Sequence, residues 1–458
     1  MMDKTLFENF REVSAKEWKQ KIQYDLKGKD YNDEVVWDSP EGIKVKPFYH
    51  ADDLTDHTYT ANKKSPSWKI GQNVYAGNAI MANEAAGRFL GKGAEAIRFI
   101  IPSENINAIT LLNNIDLNTV QVYLDMQFLS KKYIAQILGE VANSDLIQFE
   151  IDPIAHLCRT GNWYLSMNSD FAVLNEITQL KINKWVSVDG TLYENAGADI
   201  GQQLGYLIAH ANEYVNQFYE NGTLENLNEI EFKVSVGGNY FFEIAKIRAL
   251  RKLWEILADE YGIKTNCHIT SIPSKRNKTI YDYNVNMIRT TTECMSAILG
   301  GADTVFNLPY DSVYKKDNNF SERISLNQLL LLKEESYFDK VENPTEGSYY
   351  METITNQLAE KALIIFKGIE KNGGFLNQLK NHSIQNKIAD SAKKQQDSFN
   401  AKNTVLVGTN VYQNELDLMS GALELYPFVK KNPRKTLITP IIEKRLAEEM
   451  EQNRLDNE

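Results

Sequence analysis

From about residue 75 to residue 370 the chain alternates between short β-branched or aromatic runs and segments of helical periodicity, and this alternation limits the fold more than any other feature. Seven runs read as strands: "AIRFIIP" from 96, "VQVYLDM" from 120, "LIQFEIDP" from 146, "WVSVDG" from 185, "EFKVSVGG" from 231, "KTNCHITS" from 264 and "DTVFNLP" from 303. "GSYYMETIT" from 347 is a weaker eighth. Between them lie amphipathic segments such as residues 240 to 262. There Phe241, Ile244, Ile247, Leu250, Leu253, Trp254 and Leu257 form one apolar stripe, with Lys246, Arg248 and Lys252 mostly off it. Strands in alternation with crossover helices predict an α/β fold with a parallel sheet. Eight of each suit a closed (β/α)8 TIM barrel better than an open doubly wound sheet, although spacing alone also permits the open sheet.

Two extensions flank the block. Residues 1–70 are rich in Trp, Tyr, Lys and Asp, with "KGKD" and "DSPEG" as turns, and read as an N-terminal arm that packs on something else. The barrel is expected over 71–373. A C-terminal helical extension follows over 374–458, with a polar helix "NKIADSAKKQQDSFNAK", a short strand "TVLVGTN" and a charged terminal helix. The 458 residues exceed an ordinary single domain, while 43% hydrophobic and 24% charged residues are globular values. A net charge of −11 disfavours nucleic acid and anionic lipid as partners. Cys158, Cys267 and Cys294 form no C-x-x-C pair, so no zinc or redox centre is expected and the thiols read as reduced, in a cytoplasmic protein. The start "MMDKTLFENF" lacks the apolar stretch of a signal peptide, and no run approaches the roughly 18 apolar residues of a membrane span.

Local motifs carry little chemistry. "GRFLGKG" at 87–93 has the wrong spacing for a phosphate loop and no Ser or Thr after its Lys, so it reads as a helix end. Cys267 and His268 are adjacent in a strand, point to opposite faces and cannot share a metal. Asn266, His268 and Thr270 recur at period two, a polar strand face that is either a residual pocket or a hydrogen-bonded core or rim. His50, His57, His156, His210 and His382 form no spaced pair. Barrel chemistry sits at the carboxyl ends of the strands, which here offer Asp125, Glu150, Asp152, Asp189, Glu194, Asn195, His268, Ser271, Asn307 and Asp311. No nucleophile with an evident base stands among them.

Longer stretches go further. "NYFFEIAKIRALRKLW" (239–254), "MIRTTTECMSAILGGADTV" (287–305) and "NPTEGSYYMETIT" (343–355) closely resemble the barrel domain of adenosylcobalamin-dependent methylmalonyl-CoA mutases. The likeness extends over most of the chain, including "WVSVDGTLYENAGADIGQQLGYLIAHANEYV" and "GGFLNQLKNHSIQNKIADSAKKQQ", and the arm resembles the start of that family's small subunits. The resemblance implies isomerisation of methylmalonyl-CoA to succinyl-CoA by a radical from cobalt–carbon homolysis, with the acyl-CoA threading the barrel and cobalamin on a separate C-terminal domain.

The sequence departs from that pattern twice. Catalytic members carry a histidine after the fourth strand that donates to the thioester carbonyl, and "DGTLYENAGA" places Leu192 there. Losing one preorganised donor of this kind typically costs about 2.7 to 4 kcal/mol of transition-state stabilisation. The family's cobalt-ligand motif D-x-H-x-x-G is also absent, since Asp56 and His57 are adjacent, and the terminal helix resembles the linker that precedes the cobalamin domain. The resemblance therefore implies a small, non-catalytic subunit of a heterodimer whose catalytic large subunit holds adenosylcobalamin, with no cofactor and no metal on this chain. Residual mouth polarity would come from Asp189, Glu194, Asn195, Asn266 and His268. The arm's Trp18, Tyr24, Tyr31, Trp37, Phe48 and Tyr49 are candidates for contact with the partner, because aromatics dominate contact energetics, or else cover the chain's own barrel. Two other readings stay open: a catalytic barrel served by a separate cobalamin-binding subunit, and a stand-alone acyl-CoA-binding barrel.

Overall fold

The computed structural model describes residues 10–54, 67–180, 182, 184–430 and 433–458. Eight parallel strands form one sheet: β1 Lys69–Tyr75, β2 Ala96–Ile101, β3 Gln121–Met126, β4 Ile147–Glu150, β5 Lys184–Asp189, β6 Glu229–Val236, β7 Asn266–Pro273 and β8 Thr304–Phe306. Ladders run in the order β4-β3-β2-β1-β8-β7-β6-β5. The remaining seam, β4 to β5, is held by a parallel bridge between Ile151 and Val186, and by the Asp152 carboxylate accepting from the Asp189 N–H at 2.7 Å. The result is the expected (β/α)8 barrel, nearly closed.

The eighth strand is not where the sequence pattern put it. It is β1, at the amino-terminal edge of the block, and "GSYYMETIT" instead opens the helix Tyr349–Lys371. Ser348 caps that helix, and Met351, Ile354, Thr355, Leu358 and Ala362 are buried at spacings of three and four, a helical stripe that the β-branched and aromatic content disguised. β1 was obscured because Lys69, Gly71, Gln72 and Asn73 are poor strand formers. The pairing with β2 and β8 fixes it nonetheless. "TVLVGTN" forms only an isolated bridge between Val407 and Val411, not a strand. The polar helix is present as Ser383–Asn400, and the terminal helix as Glu448–Leu455.

The helix Tyr240–Glu260 carries the expected apolar stripe, but Phe241 is half exposed while Lys246 and Arg248 are buried. It is packed by neighbouring helices on more than one side. Lys246 therefore donates to Gln203 Oε1 at 3.0 Å and the Ser235 carbonyl at 2.7 Å, and Arg248 pairs with Glu352 at 2.6 Å.

The arm divides. Its ribbon, Trp37–Asp38 against Lys44–Val45, lies on the barrel's outer helices: Trp37 meets the Phe242 ring edge-on, Tyr49 packs on Tyr350, and Lys361 donates to the Glu41 carbonyl. The preceding helix Ala15–Asp25 buries none of its residues. The C-terminal extension leaves the barrel at Gly373 and Gly374, both with positive φ, and then runs across the mouth loops. There Ile441, Lys444 and Leu446 donate backbone bonds to the carbonyls of Cys158, Asn195 and Arg276.

The β1/β8 seam is tight. A Cβ on Gly71 would lie 2.6 Å from the Phe306 ring, which is fully buried with the Arg98 guanidinium 4.0 Å from its centroid and Tyr123 edge-on. The ring has nowhere to retreat. Gly71→Ala is expected to destabilise the chain by about 1–3 kcal/mol, the usual range for overpacking, read as a lowered urea midpoint. An unchanged midpoint would show that the seam can relax.

Candidate functional site

Residues that alternate inward along the strands meet on the barrel axis, and here that interior is charged. Arg98 on β2 donates through Nε to Glu150 Oε1 on β4 at 2.7 Å, and through a terminal nitrogen to Glu231 Oε1 on β6 at 3.3 Å and Thr270 Oγ1 on β7 at 3.0 Å. One side chain thus reaches across the lumen to three strands. Above it Lys233 on β6 donates to Glu150 Oε2 at 3.0 Å and Asp125 Oδ2 at 3.3 Å, with Asp189 at 3.8 Å. Arg159, at the rim, closes the cluster on Asp189 at 3.3 Å. Below it the Tyr123 hydroxyl bonds His268 Nε2 at 2.8 Å and Thr304 Oγ1 at 2.6 Å, and Phe306 fills the rest.

The network holds more acids than bases. Arg98 and Lys233 face Glu150, Glu231, Asp125 and Asp189, with Arg159 shared at the edge. Burial opposes charge on all of them, so the pairing decides which carboxylates stay ionised. Against that burial, Arg98 and Lys233 hold Glu150 below its ordinary range, and Lys233 and Arg159 hold Asp189 well below its own. Glu231 has as its one ion pair the longer contact to Arg98, and it accepts from the Thr270 hydroxyl at 2.8 Å. Burial, followed by the adjacent Glu150 charge, pushes it up to about 8, so it carries the proton at neutral pH.

This filled interior leaves little space. The recess at the mouth, lined by Asp125, Asp152, Arg159, Tyr164, Asp189 and Lys233, measures about 60 Å³. Small-molecule sites usually enclose about 300–1,000 Å³.

The sequence-nominated residues separate into three groups. Asp125, Glu150 and Asp189 belong to the axial network. Asn266 and His268 share the inward face but sit at the amino end of β7, so neither is at the mouth; Asn266 is exposed, and His268 supports Tyr123. Their strand begins at residue 266, which puts its carboxyl end at Pro273. Glu194 and Asn195 lie in the short helix Thr191–Ala196. Glu194 accepts from Gln203, and Asn195 Oδ1 accepts from Ser274 Oγ at 3.3 Å and the Lys275 N–H at 2.8 Å, tying two mouth loops together. Leu192 is 1% exposed within the main hydrophobic core.

The others support the loops or the core. Asp152 caps the helix Pro153–Thr160 and accepts from Tyr214 at 2.7 Å and His210 at 2.9 Å, while His210 Nδ1 meets the Tyr193 hydroxyl at 3.0 Å. Asn307 bonds Ser325 and Gln328, Asp311 accepts from Asn318, and Ser271 is buried within β7. His156 stacks on Tyr164 with centroids 3.8 Å apart. His50 accepts from the Asp52 N–H, and His382 begins the helix Ser383–Asn400. Asp56 and His57 lie outside the described residues. Among the described residues no group of three His, Cys, Asp or Glu side chains is arranged to hold a metal ion, and no helix is long and apolar enough to cross a membrane.

Arg98, Tyr123, Glu231 and Lys233 were not singled out from the sequence. Their signal was present: Arg98 interrupts an apolar strand, and Glu231 and Lys233 share one parity in the next polar one.

The raised Glu231 gives a pH dependence of definite sign. Between about 4.5 and about 8 the folded chain binds a proton that the unfolded chain releases, so this group's contribution to stability is full at low pH and lost as pH rises through about 8. Glu231→Gln should melt near the wild-type temperature at pH 5 and increasingly above it from pH 6 to about 8, with the offset levelling off beyond. A parallel offset at every pH would remove Glu231 as the proton holder.

Comparison with known proteins gives the family of the chain. The sequence model of methylmalonyl-CoA mutase matches residues 105–453. A methylmalonyl-CoA mutase small subunit from Porphyromonas gingivalis is 33% identical, covering 92% of this chain and 73% of that protein. A methylmalonyl-CoA mutase small subunit from Streptomyces virginiae is 29% identical over 70% of this chain, and a methylmalonyl-CoA mutase from Rhizobium meliloti is 25% identical over 88%. The chain spans 54% and 64% of those last two proteins. The chain belongs to the methylmalonyl-CoA mutase family.

Proposed function

We propose that this chain is the small, non-catalytic subunit of a heteromeric methylmalonyl-CoA mutase, working in the cytoplasm beside a catalytic large subunit that isomerises methylmalonyl-CoA to succinyl-CoA. The observation that carries the reading is the filled axis. Arg98, Tyr123, Phe306, Glu150, Glu231 and Lys233 are all buried where an acyl-CoA arm would pass. Leu192 adds to it: a leucine has no donor for a thioester carbonyl, and this one is part of the core. The names of three similar small subunits, from Porphyromonas gingivalis, Streptomyces virginiae and Mycobacterium tuberculosis, support a partner of the large-subunit kind.

Adenosylcobalamin would then belong to the partner. Three of the five described histidines do not suit a cobalt ligand here: His210 is fully buried between Asp152 and Tyr193, His268 is bonded to Tyr123 inside the barrel, and His156 is stacked on Tyr164. This chain's contribution is surface and shape. Trp18, stacked on Phe48 at 4.4 Å yet 46% exposed, and Tyr24, 79% exposed, present aromatic area on a helix that buries nothing of its own. Trp37 and Tyr49 are committed in part to the chain's own helices. Contact with the partner is accordingly assigned to the first half of the arm.

The test is reconstitution. Mixing the purified chain with the large subunit should give a one-to-one complex by light scattering, with mutase turnover only when the large subunit is present. Removing residues 1–30 should weaken that complex at least tenfold while moving the chain's own melting temperature little. Turnover from this chain with only a small cobalamin-binding subunit would defeat the proposal.

A further inference from the structure

Seven basic side chains are buried among the described residues: Arg98, Lys233, Lys246, Arg248, Arg276, Lys278 and Arg445. Six reach a carboxylate: Glu150 for Arg98 and Lys233, then Glu243, Glu352, Glu293 and Glu451 for Lys246, Arg248, Lys278 and Arg445. Arg276 is the exception. It is 6% exposed, and its guanidinium donates to Gln395 Oε1 at 2.6 Å, the Lys444 carbonyl at 2.8 Å and the Ala392 carbonyl at 3.4 Å, all neutral acceptors. Three of its five N–H groups are thereby used. Glu194 is the acid that acts on it electrostatically, beyond ion-pair distance. A buried cation with no carboxylate in contact is costly, so an exception to a rule that the other six obey calls for a cause.

Arg276 lines a cavity of about 1060 Å³ between the helix Ser383–Asn400 and the extension that crosses the barrel mouth. Gln385, Ile388, Ala389, Ala392 and Gln396 share one face of that helix and line the same cavity, opposite Phe428 and Ile441. One polar atom of the lining is unsatisfied. Gln385 is buried, its Nε2 donates to the Leu379 and Thr439 carbonyls, and its Oε1 has no partner. Because both amide hydrogens are directed at carbonyls, the oxygen cannot be exchanged for the nitrogen by a flip. It needs a donor. Gln385 and Ala392, which Arg276 touches, are seven residues apart on the helix, about 10 Å along its axis.

We infer that this groove binds an amphipathic organic anion, its carboxylate or phosphate head on Arg276, its apolar body along Ile388 and Ala389, and a hydroxyl or amide N–H near Gln385. Lys430, exposed at the rim, adds positive potential and offsets Glu448, a buried carboxylate of the same lining that accepts from the Val429 N–H, whereas the other rim lysines, Lys393 and Lys444, are already paired with Asp397 and Glu449. The groove is distinct from the barrel axis and does not depend on how the subunit's role is read.

Calorimetric titration of the full chain with 10-hydroxydecanoate and with 10-hydroxydecyl phosphate tests this, the tighter of the two identifying the head group. One-site saturable binding is expected, weakened at least tenfold by Ala389→Trp, which fills the groove from an exposed position, and by Lys430→Glu, with melting temperatures unchanged. If neither compound saturates the chain, or if Ala389→Trp binds as well as wild type, the inference fails.

Discussion

The position of Arg98 governs what this barrel can be. Its guanidinium starts on β2 and is satisfied on β4, β6 and β7, so it spans the lumen and fixes strands that have no ladder in common with its own. In a medium of low dielectric such a group is secure only while its counter-charges are in place, and removing one partner of a buried pair typically costs about 3–5 kcal/mol. The same side chains therefore cannot double as the wall of a channel. A lumen that admits a ligand would have to separate Arg98 from Glu150 and Lys233 from both Glu150 and Asp125, leaving desolvated charge on every side.

The consequences reach the mouth loops. Glu150 ends β4, and two residues later Asp152 ties Asp189, Tyr214 and His210 to the same corner. Asp189 in turn meets both Lys233 and Arg159, and Arg159 is bonded to Glu443 on the extension. A continuous run of polar contacts thus leads from the barrel centre to the segment that crosses its mouth. Leu192, beside this corner, turns into the hydrophobic core.

Much of the fold was legible in the sequence because period-two and helical patterns survive wherever one face is apolar. Seven strands and the long helices were recognised on that basis. β1 was missed because Gly71 and Asn73 face the interior and give no β signal, and the eighth position was assigned to a helix whose Ser348 cap outweighs its β-branched content. The site was less legible. Polar residues at strand ends could be named, but Asn195 and Glu194 turned out to clamp loops and helices, and His268 lies at the opposite end of the barrel from the mouth. What the pattern could not supply was register: only the pairing of Asp125 with Glu150, and of Asp189 with Lys233, places these charges in one layer. Arg98 was passed over for a related reason, since a single basic residue in an apolar strand reads as an irregularity until the strand opposite is known to carry its acids.

On the proposed reading the barrel axis is too full for a thioester to enter. Calorimetric titration of the isolated chain with methylmalonyl-CoA addresses that most directly. Heats indistinguishable from dilution up to millimolar ligand are expected. A saturable isotherm that Glu231→Gln or Arg98→Met alters would mean that the lumen opens, and would contradict it.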